Sequence, residues 1–488
     1  MNPRPNILLI MTDQQRHDAV GYVNPEVQTP HLNQLAQESV LFTNAYTTNP
    51  SCIPARAAIF TGKYPSQCGV PTYMTYLPKH EVTFMKRLQE AGYYTAVIGK
   101  QHFWKSEIDK GYDYLEIIDE HFPPRRIHKE VDPSRFGLPS NSTVLDSASS
   151  YICFLADSGF TEGSQLFEKV PSTKEVYRWK ADERYHVDAF VGDRGVAWIR
   201  NQRPVGKPWF LTLSFPGPHT PFDGIGLPDE ALYEQVEISL PSTAPEDIFQ
   251  KPPHFRHLLK RYCELDETAQ AIRSRMSDAE IRLMRKSYYA NVSLIDRKIG
   301  AVIEALKECG DYENTLILFL SDHGDFLGDF GMAQKMQCLS EVLMRIPFLI
   351  KPPIQGFRGY QENSFVSSVE VAATCLATAG CEVPPDISRR SLTQFFNQTE
   401  APVRWDEIYM EARDIRGIRV GQYKLAYYAE REYGELYDLA SDPEERVNLW
   451  FDGQFQEIKH RLMTRLLDKL IQLGHNMHVI WHPDTPPI

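Results

Sequence analysis

Leu316-Ile317-Leu318-Phe319-Leu320-Ser321-Asp322-His323-Gly324 is an apolar run that stops abruptly at a hydroxyl, an acid, an imidazole and a glycine. Five consecutive apolar residues without polar alternation are the pattern of a strand covered on both faces. The polar residues that follow then stand where the chain leaves the sheet. The same arrangement occurs three more times: Ile7 to Met11 leads into Asp13 and Gln14, Tyr94 to Ile98 into Gly99-Lys100-Gln101-His102, and Phe210 to Phe215 into Pro216-Gly217-Pro218-His219. Helical patterns lie between them, over Thr29 to Ala36, Val82 to Ala91 and the long Asp278 to Cys309 segment. Strands alternating with helices predict an α/β fold with a mostly parallel sheet covered by helices on both faces, which binds its ligand outside the carboxyl ends of the strands.

Further along, the rhythm changes. Pro-rich and charged stretches from about Lys105 to Asp193 and from Pro221 to Met276 read as insertions over the carboxyl edge of the sheet, where selectivity would reside. After a helical Val369 to Gly380, Cys381-Glu382-Val383-Pro384-Pro385 marks a boundary. Arg416 to Tyr428 and Glu435 to Leu439 read as short antiparallel strands, followed by a helix from about Gln454 to Leu473. The expected organisation is a catalytic α/β domain over 1–383 and a small C-terminal α+β subdomain with an antiparallel sheet over 384–488. No internal repeat is present.

Composition narrows the class. A chain of 488 residues, 42% hydrophobic and 24% charged, can bury a large core. Its formal net charge of -12 argues against a general nucleic-acid binder, so positive charge at any anion site must come from specific residues. No run approaches the roughly 18 apolar residues of a membrane span. Met1 to Pro5 leads directly into the first apolar run, which leaves no room for a signal peptide, so a cytoplasmic location is expected. The eight cysteines form no CxxC pairs and read as reduced core residues.

One cysteine stands apart. In Cys52-Ile53-Pro54-Ala55-Arg56, Pro54 suits the first turn of a helix that Ala55 to Phe60 can continue. Cys52 then sits at a helix N-terminus, where unpaired N–H groups and the macrodipole favour a thiolate, an alkoxide or a bound anion. Arg56, one turn on, can reach the same place. Taken alone, the pentapeptide also fits a buried structural cysteine.

With its company, the segment resembles the maturation signature of the sulfatase family. The chain carries Asn6 to Asp13, Thr29-Pro30-His31-Leu32, Phe42 to Tyr46, Gly99 to His102, Pro218-His219-Thr220-Pro221, Ser321 to Asp325, Lys335, Arg345-Ile346-Pro347, and Leu436 to Leu439 with Asp442-Pro443 and Asn448-Leu449, in the order that sulfatases show. The resemblance implies an alkaline-phosphatase-like fold and hydrolysis of a sulfate ester to an alcohol and inorganic sulfate. It implies that Cys52 is oxidised to formylglycine by a formylglycine-generating maturation enzyme. One hydroxyl of the aldehyde hydrate then attacks sulfur and the second ejects the product.

Roles follow position by position from the resemblance. Asp13, Gln14, Asp322 and His323, with the modified residue 52, would hold one divalent cation, calcium first, with manganese or magnesium as alternatives. Arg56 and Lys100 would hold the hydrated aldehyde, and His102 would take the proton when the sulfated intermediate collapses. His219 and Lys335 would bind the sulfate and assist the departing alkoxide. Each residue alone has an ordinary reading as a helix cap, a surface charge or a loop residue. Asp325, Asn44 and His31 read as structural, and Trp104, Arg125 and Arg126 as weaker substrate-contact candidates.

The chain departs from the common pattern at Gln14, where many sulfatases have a second aspartate, and at His323, where many have asparagine. Those departures match the phosphonate monoester hydrolases and related phosphodiesterases, which form the second reading. A non-catalytic, metal-stabilised binding protein is the third. The expected partners are a small-molecule sulfate ester and the maturation enzyme, with no nucleic acid and no membrane; the alcohol and the oligomeric state are left open.

Overall fold

Alternation of side chains along the two central strands decides how the molecule is layered. In the computed structural model, which describes residues 4–102, 111–118, 150–266, 269, 271–397 and 401–474, the central sheet contains β1 (Asn6–Thr12), β2 (Val40–Tyr46), β3 (Tyr94–Gly99), β4 (Tyr114–Ile117), β5 (Trp209–Ser214), β6 (Thr315–Ser321), β7 (Phe348–Lys351) and β8 (Tyr360–Ser367). Their spatial order is β8-β2-β7-β6-β1-β5-β3-β4. All run parallel except β7, which is antiparallel to both neighbours. Ile7, Leu9 and Met11 of β1 and Leu316, Leu318 and Leu320 of β6 enter one core, with Ile53, Ala57 and Phe60 of the Cys52–Thr61 helix. The intervening Leu8, Ile10, Ile317 and Phe319 enter the other, against the Pro30–Ala36, Val187–Asn201 and Asp278–Glu308 helices. Because successive strand residues point to opposite faces, an unbroken apolar run is what a doubly covered strand requires.

The four strands expected from the sequence are β1, β3, β5 and β6, adjacent in pairs at the middle of the sheet. The structure departs from the expected insertions in two places. Tyr114 to Ile117, inside the first stretch, is the edge strand β4, and Val187 to Asp193 opens a helix of the second core. Tyr114 and Leu115 are only half-buried, so this edge strand lacks a fully apolar run. The described part of the second stretch packs as a separate cluster, in which Phe222, Ile248 and Phe255 meet Phe326 and Phe330 of the loop after β6.

In the C-terminal part, β9 (Glu407–Ala412), β10 (Ile415–Val420), β11 (Tyr423–Tyr428) and β12 (Gly434–Asp438) form an antiparallel sheet in sequential order. The Gln456–Gly474 helix covers one face through Leu462 and Leu466. The other face packs on Tyr46, Met344 and Phe365 of the α/β part. β9 was not among the expected strands: Glu407 and Glu411 break its apolar pattern, and Glu411 is nonetheless buried, accepting from Ser66 and Tyr409. Among the described residues no helix is long and apolar enough to cross a membrane. Cys52, Cys68, Cys263, Cys309, Cys338, Cys375 and Cys381 are free thiols.

Candidate active site

The carboxyl ends of the four central strands meet the N-terminus of the Cys52–Thr61 helix. Ser51 precedes this helix in extended backbone, and Gly62 ends it in the left-handed region at φ 72°. Every residue of the helix is buried, so Cys52 is held by a fixed element rather than by a loop. Arg56 is fully buried and ties the strand ends together. Its Nε donates to Asp322 Oδ2 at 2.7 Å, Nη1 to Lys100 O at 2.7 Å and to Ser214 Oγ at 2.9 Å, and Nη2 to Asp13 Oδ2 at 3.3 Å. Lys100 Nζ also donates to Asp13 Oδ2.

This leaves each carboxylate divided. The Oδ2 atoms of Asp13 and Asp322 face cationic side chains, while their Oδ1 atoms lie 3.8 and 3.7 Å from His323 Nε2. Cys52 Sγ is 3.1 Å from that same nitrogen and 3.5 Å from Asp13 Oδ1. His323 Nδ1 donates to Gly324 O at 2.9 Å, which fixes the ring with Nε2 turned toward the cluster. One donor atom each from Asp13, Cys52, Asp322 and His323 lies within 4.8 Å of the others, and all four residues are buried. Two hard oxygens, an imidazole and one further donor at that spacing fit a single divalent cation.

Lys335 lies at the opening of this cluster. Its Nζ donates to Gln14 Oε1 at 2.5 Å and to His219 Nε2 at 2.7 Å, while His219 Nδ1 donates to Thr220 O at 2.6 Å. Gln14 adopts φ 68°, donates its backbone N–H to Asp322 Oδ1 at 3.0 Å and its amide to Asp325 Oδ2. Asp325 Oδ1 accepts from the N–H groups of Leu327 at 2.7 Å and Gln334 at 2.9 Å. Asp325 therefore fixes Gln14 and the loop that carries Lys335. Gly217 performs a similar task for His219: its carbonyl accepts from Asp13 N–H at 3.0 Å and its N–H donates to buried Asp188 at 2.9 Å.

Charge in the site is strongly coupled. Burial opposes ionisation of Asp13, yet Lys100, His219, Arg56 and Lys335 together hold its carboxyl well below the usual carboxylate range. Burial and Asp13 push the Cys52 thiol up, but Lys100, Lys335 and His323 outweigh them and lower it. Lys335 is raised despite burial, by the negative charge of Cys52, Asp13 and Asp322. Asp325, by contrast, is raised by burial.

All ten residues singled out in the sequence fall in this region. Asp13, Gln14, Cys52, Arg56, Lys100, Asp322 and His323 form its buried floor, and His102, His219 and Lys335 line a cavity of about 460 Å³ that opens over Cys52. Trp104, Arg125 and Arg126 lie outside the described residues. Asn44 donates to Asn363 O across neighbouring strands, and His31 starts a helix packed on Gly300, so both serve the fold. Of the cavity wall, Arg261 belongs to the second expected insertion, while the stretch from Tyr73 to Tyr76 was not anticipated. Tyr73, Met74 and Tyr76 belong to neither expected insertion; the only signal was a cluster of large apolar residues in a loop.

The Sulfatase family model matches residues 5–381, and the model of the N-sulphoglucosamine sulphohydrolase C-terminal region matches residues 328–472. The chain is similar to an arylsulfatase of Clostridium perfringens, at 26% identity over 96% of this chain and 94% of that protein. It is similar to a choline-sulfatase of Rhizobium meliloti, at 29% identity over 91% of this chain and 82% of that protein. Among solved structures, the phosphonate monoester hydrolase of Silicibacter pomeroyi superposes with a TM-score of 0.78 at 23% identity, covering 98% of this chain and 97% of that one.

Proposed function

The chain belongs to the sulfatase family of sulfuric ester hydrolases, and from that premise we propose that it cleaves a small-molecule sulfate ester at residue 52 after Cys52 has been converted to formylglycine by a maturation enzyme. The single observation that carries this reading is the convergence of Asp13, Cys52, Asp322 and His323 on one another, beside Lys100 and beneath His102, His219 and Lys335. On this reading Cys52 Sγ stands in for an oxygen of the hydrated aldehyde. That hydrate supplies one hydroxyl for attack on sulfur and another whose deprotonation releases sulfate.

Asp13, Asp322 and His323 would hold the cation together with residue 52, and Gln14 would add a neutral carbonyl oxygen. Calcium is the first choice and manganese or magnesium the alternatives. Once bound, the cation supplies Lewis-acid polarisation of the sulfate and lowers the pKa of the attacking hydroxyl. Arg56 keeps Asp13 and Asp322 aimed at the cluster by taking their outer oxygens. Lys100 adds positive charge beside Asp13 and favours an anionic oxygen at residue 52. Lys335 and His219 share a hydrogen bond and face the cavity, where they neutralise sulfate oxygens and deliver a proton to the leaving alkoxide. His102, at the cavity wall, receives the proton released when inorganic sulfate departs.

Phosphonate monoester or phosphodiester hydrolysis is the second reading, favoured by Gln14 beside Asp13 and by the imidazole at 323. The intact Lys100 to His102 and His219 elements favour the sulfate ester. Protein co-produced with a formylglycine-generating enzyme should hydrolyse an aryl sulfate at least about 10-fold faster than the corresponding aryl phosphonate monoester, compared as kcat/KM. The reverse order would assign the second reading. A cytoplasmic location remains part of the proposal.

A further inference from the structure

Above Cys52, the cavity changes character. Its floor is polar and charged, with Asp13 and Asp322 paired to Arg56 and Lys100, but its wall carries Tyr73, Met74, Tyr76 and Met336. Tyr73 is 59% and Met74 71% exposed, so two large apolar side chains stand in solvent at the mouth of a binding cavity. Such residues mark contact surfaces for an apolar or flat ligand body, and methionine adapts to ring faces. On the same wall stands Arg261. Its backbone is fixed, the carbonyl accepting from Lys174 Nζ at 2.7 Å and the N–H donating to Leu258 O at 3.0 Å. Its exposed guanidinium has no hydrogen-bond or ion-pair partner among the described residues. No aspartate or glutamate is among the described residues lining the cavity. In a chain of formal net charge -12, Arg261 thus adds a positive charge to the cavity wall besides that of Lys335.

We propose that the cavity selects sulfate esters whose alcohol portion presents a ring face to Tyr73, Met74 and Tyr76 and carries a second negative group read by Arg261. This specificity rests on the sulfate-ester reading above and refines it. A carboxylate or a second sulfate suits the planar donor fork of arginine. A quaternary ammonium alcohol is disfavoured, because Lys335 and Arg261 repel it and no aspartate or glutamate is among the described residues lining the cavity.

The test compares kcat/KM of the matured enzyme for a nitrophenyl sulfate, for the same ester bearing a ring carboxylate, and for choline sulfate. The carboxylated ester should exceed the plain one by on the order of 5- to 10-fold at low salt, mainly through KM, and the preference should shrink at high ionic strength. Arg261→Gln should bring the ratio of the two aryl esters close to that of their intrinsic reactivities, and Arg261→Glu should move it further in the same direction. Tyr73→Ser should raise KM for both aryl esters together. Turnover of the plain aryl sulfate with a ratio that is insensitive to salt and to Arg261→Gln would overturn the specificity while leaving the sulfatase reading intact. A preference for choline sulfate would do the same. If no sulfate ester is hydrolysed by the wild-type enzyme, the broader reading fails and the specificity with it. The salt dependence is read on the wild type, so a poorly folding variant does not remove the test.

Discussion

At the scale of single residues, Cys52 gains meaning only from what faces it. The pentapeptide around it was equally legible as an ordinary helix start. Asp322 and His323, from a strand end some 270 residues later in the chain, place an imidazole nitrogen 3.1 Å from its sulfur. Residue types and order made these candidates legible, because acids, imidazoles and amines after apolar runs are rare enough to notice. The supporting contacts were not legible. Asp325 was read as structural, and what the sequence did not reveal is that its two oxygens hold Gln14 and the Lys335 loop at once. Asp322→Ala removes a carboxylate from the cluster and leaves Arg56 buried without its shortest ion pair. We expect it to lower the content of divalent metal, measured on the purified protein, and to reduce kcat by at least about 100-fold. Chelation of the wild-type enzyme should abolish turnover, and readdition of one divalent cation should restore it. Full activity with unchanged metal content in Asp322→Ala would remove it from the ligand set.

At the scale of elements, the strand ends are the working parts, and their backbone geometry is as constrained as their side chains. Gly99 closes β3 at φ 103°, and a Cβ there would lie 1.9 Å from Ser214 O. This close approach lets Lys100 N–H donate to Ser214 O at 2.8 Å while the Lys100 carbonyl accepts from Arg56. Gly99→Ala should therefore cost at least about 2 kcal/mol in urea unfolding and lower kcat through displacement of Lys100. Unchanged stability and activity would mean that this strand end does not position the site. The buried strands and long helices were legible from apolar periodicity, whose signal grows with length. β2, β8 and β9 were less so, since each is interrupted by polar or charged residues that find partners only in the tertiary structure, and β7 is only four residues long. Glu362 of β8, for example, is buried and paired with Arg404.

At the scale of the whole molecule, a buried charge network ties the C-terminal sheet to the α/β part. Glu341 accepts from Tyr46 Oη at 2.7 Å and from Lys424 Nζ at 2.9 Å, and Lys424 also pairs with Glu445. Burial raises the pKa of Glu341, but Lys424 and Arg419 hold it down to about 2, against 4.5 for an unconstrained glutamate. A depressed carboxylate contributes stability above its unfolded pKa and loses it as the pH falls through the folded one. Glu341→Gln should therefore cost about 2 to 3 kcal/mol near neutral pH, with the difference from wild type narrowing as the pH falls from about 4.5 toward 2. A pH-independent difference in denaturant unfolding would show that the ionised form of Glu341 is not what binds the two parts. The alternation of strands and helices foretold the α/β layers, whereas this network joins residues some 20 to 300 apart in the chain, with no local pattern to announce them. The central claim, that this scaffold presents a matured residue 52 to a sulfate ester, is tested most directly by the initial rate of inorganic sulfate release from an aryl sulfate. The rate is measured for the wild type and Cys52→Ala, each co-produced with a formylglycine-generating enzyme. Sustained release by the wild type and none above background by Cys52→Ala is the expected result; equal release by both, or none by a wild type whose residue 52 has been converted, would contradict it.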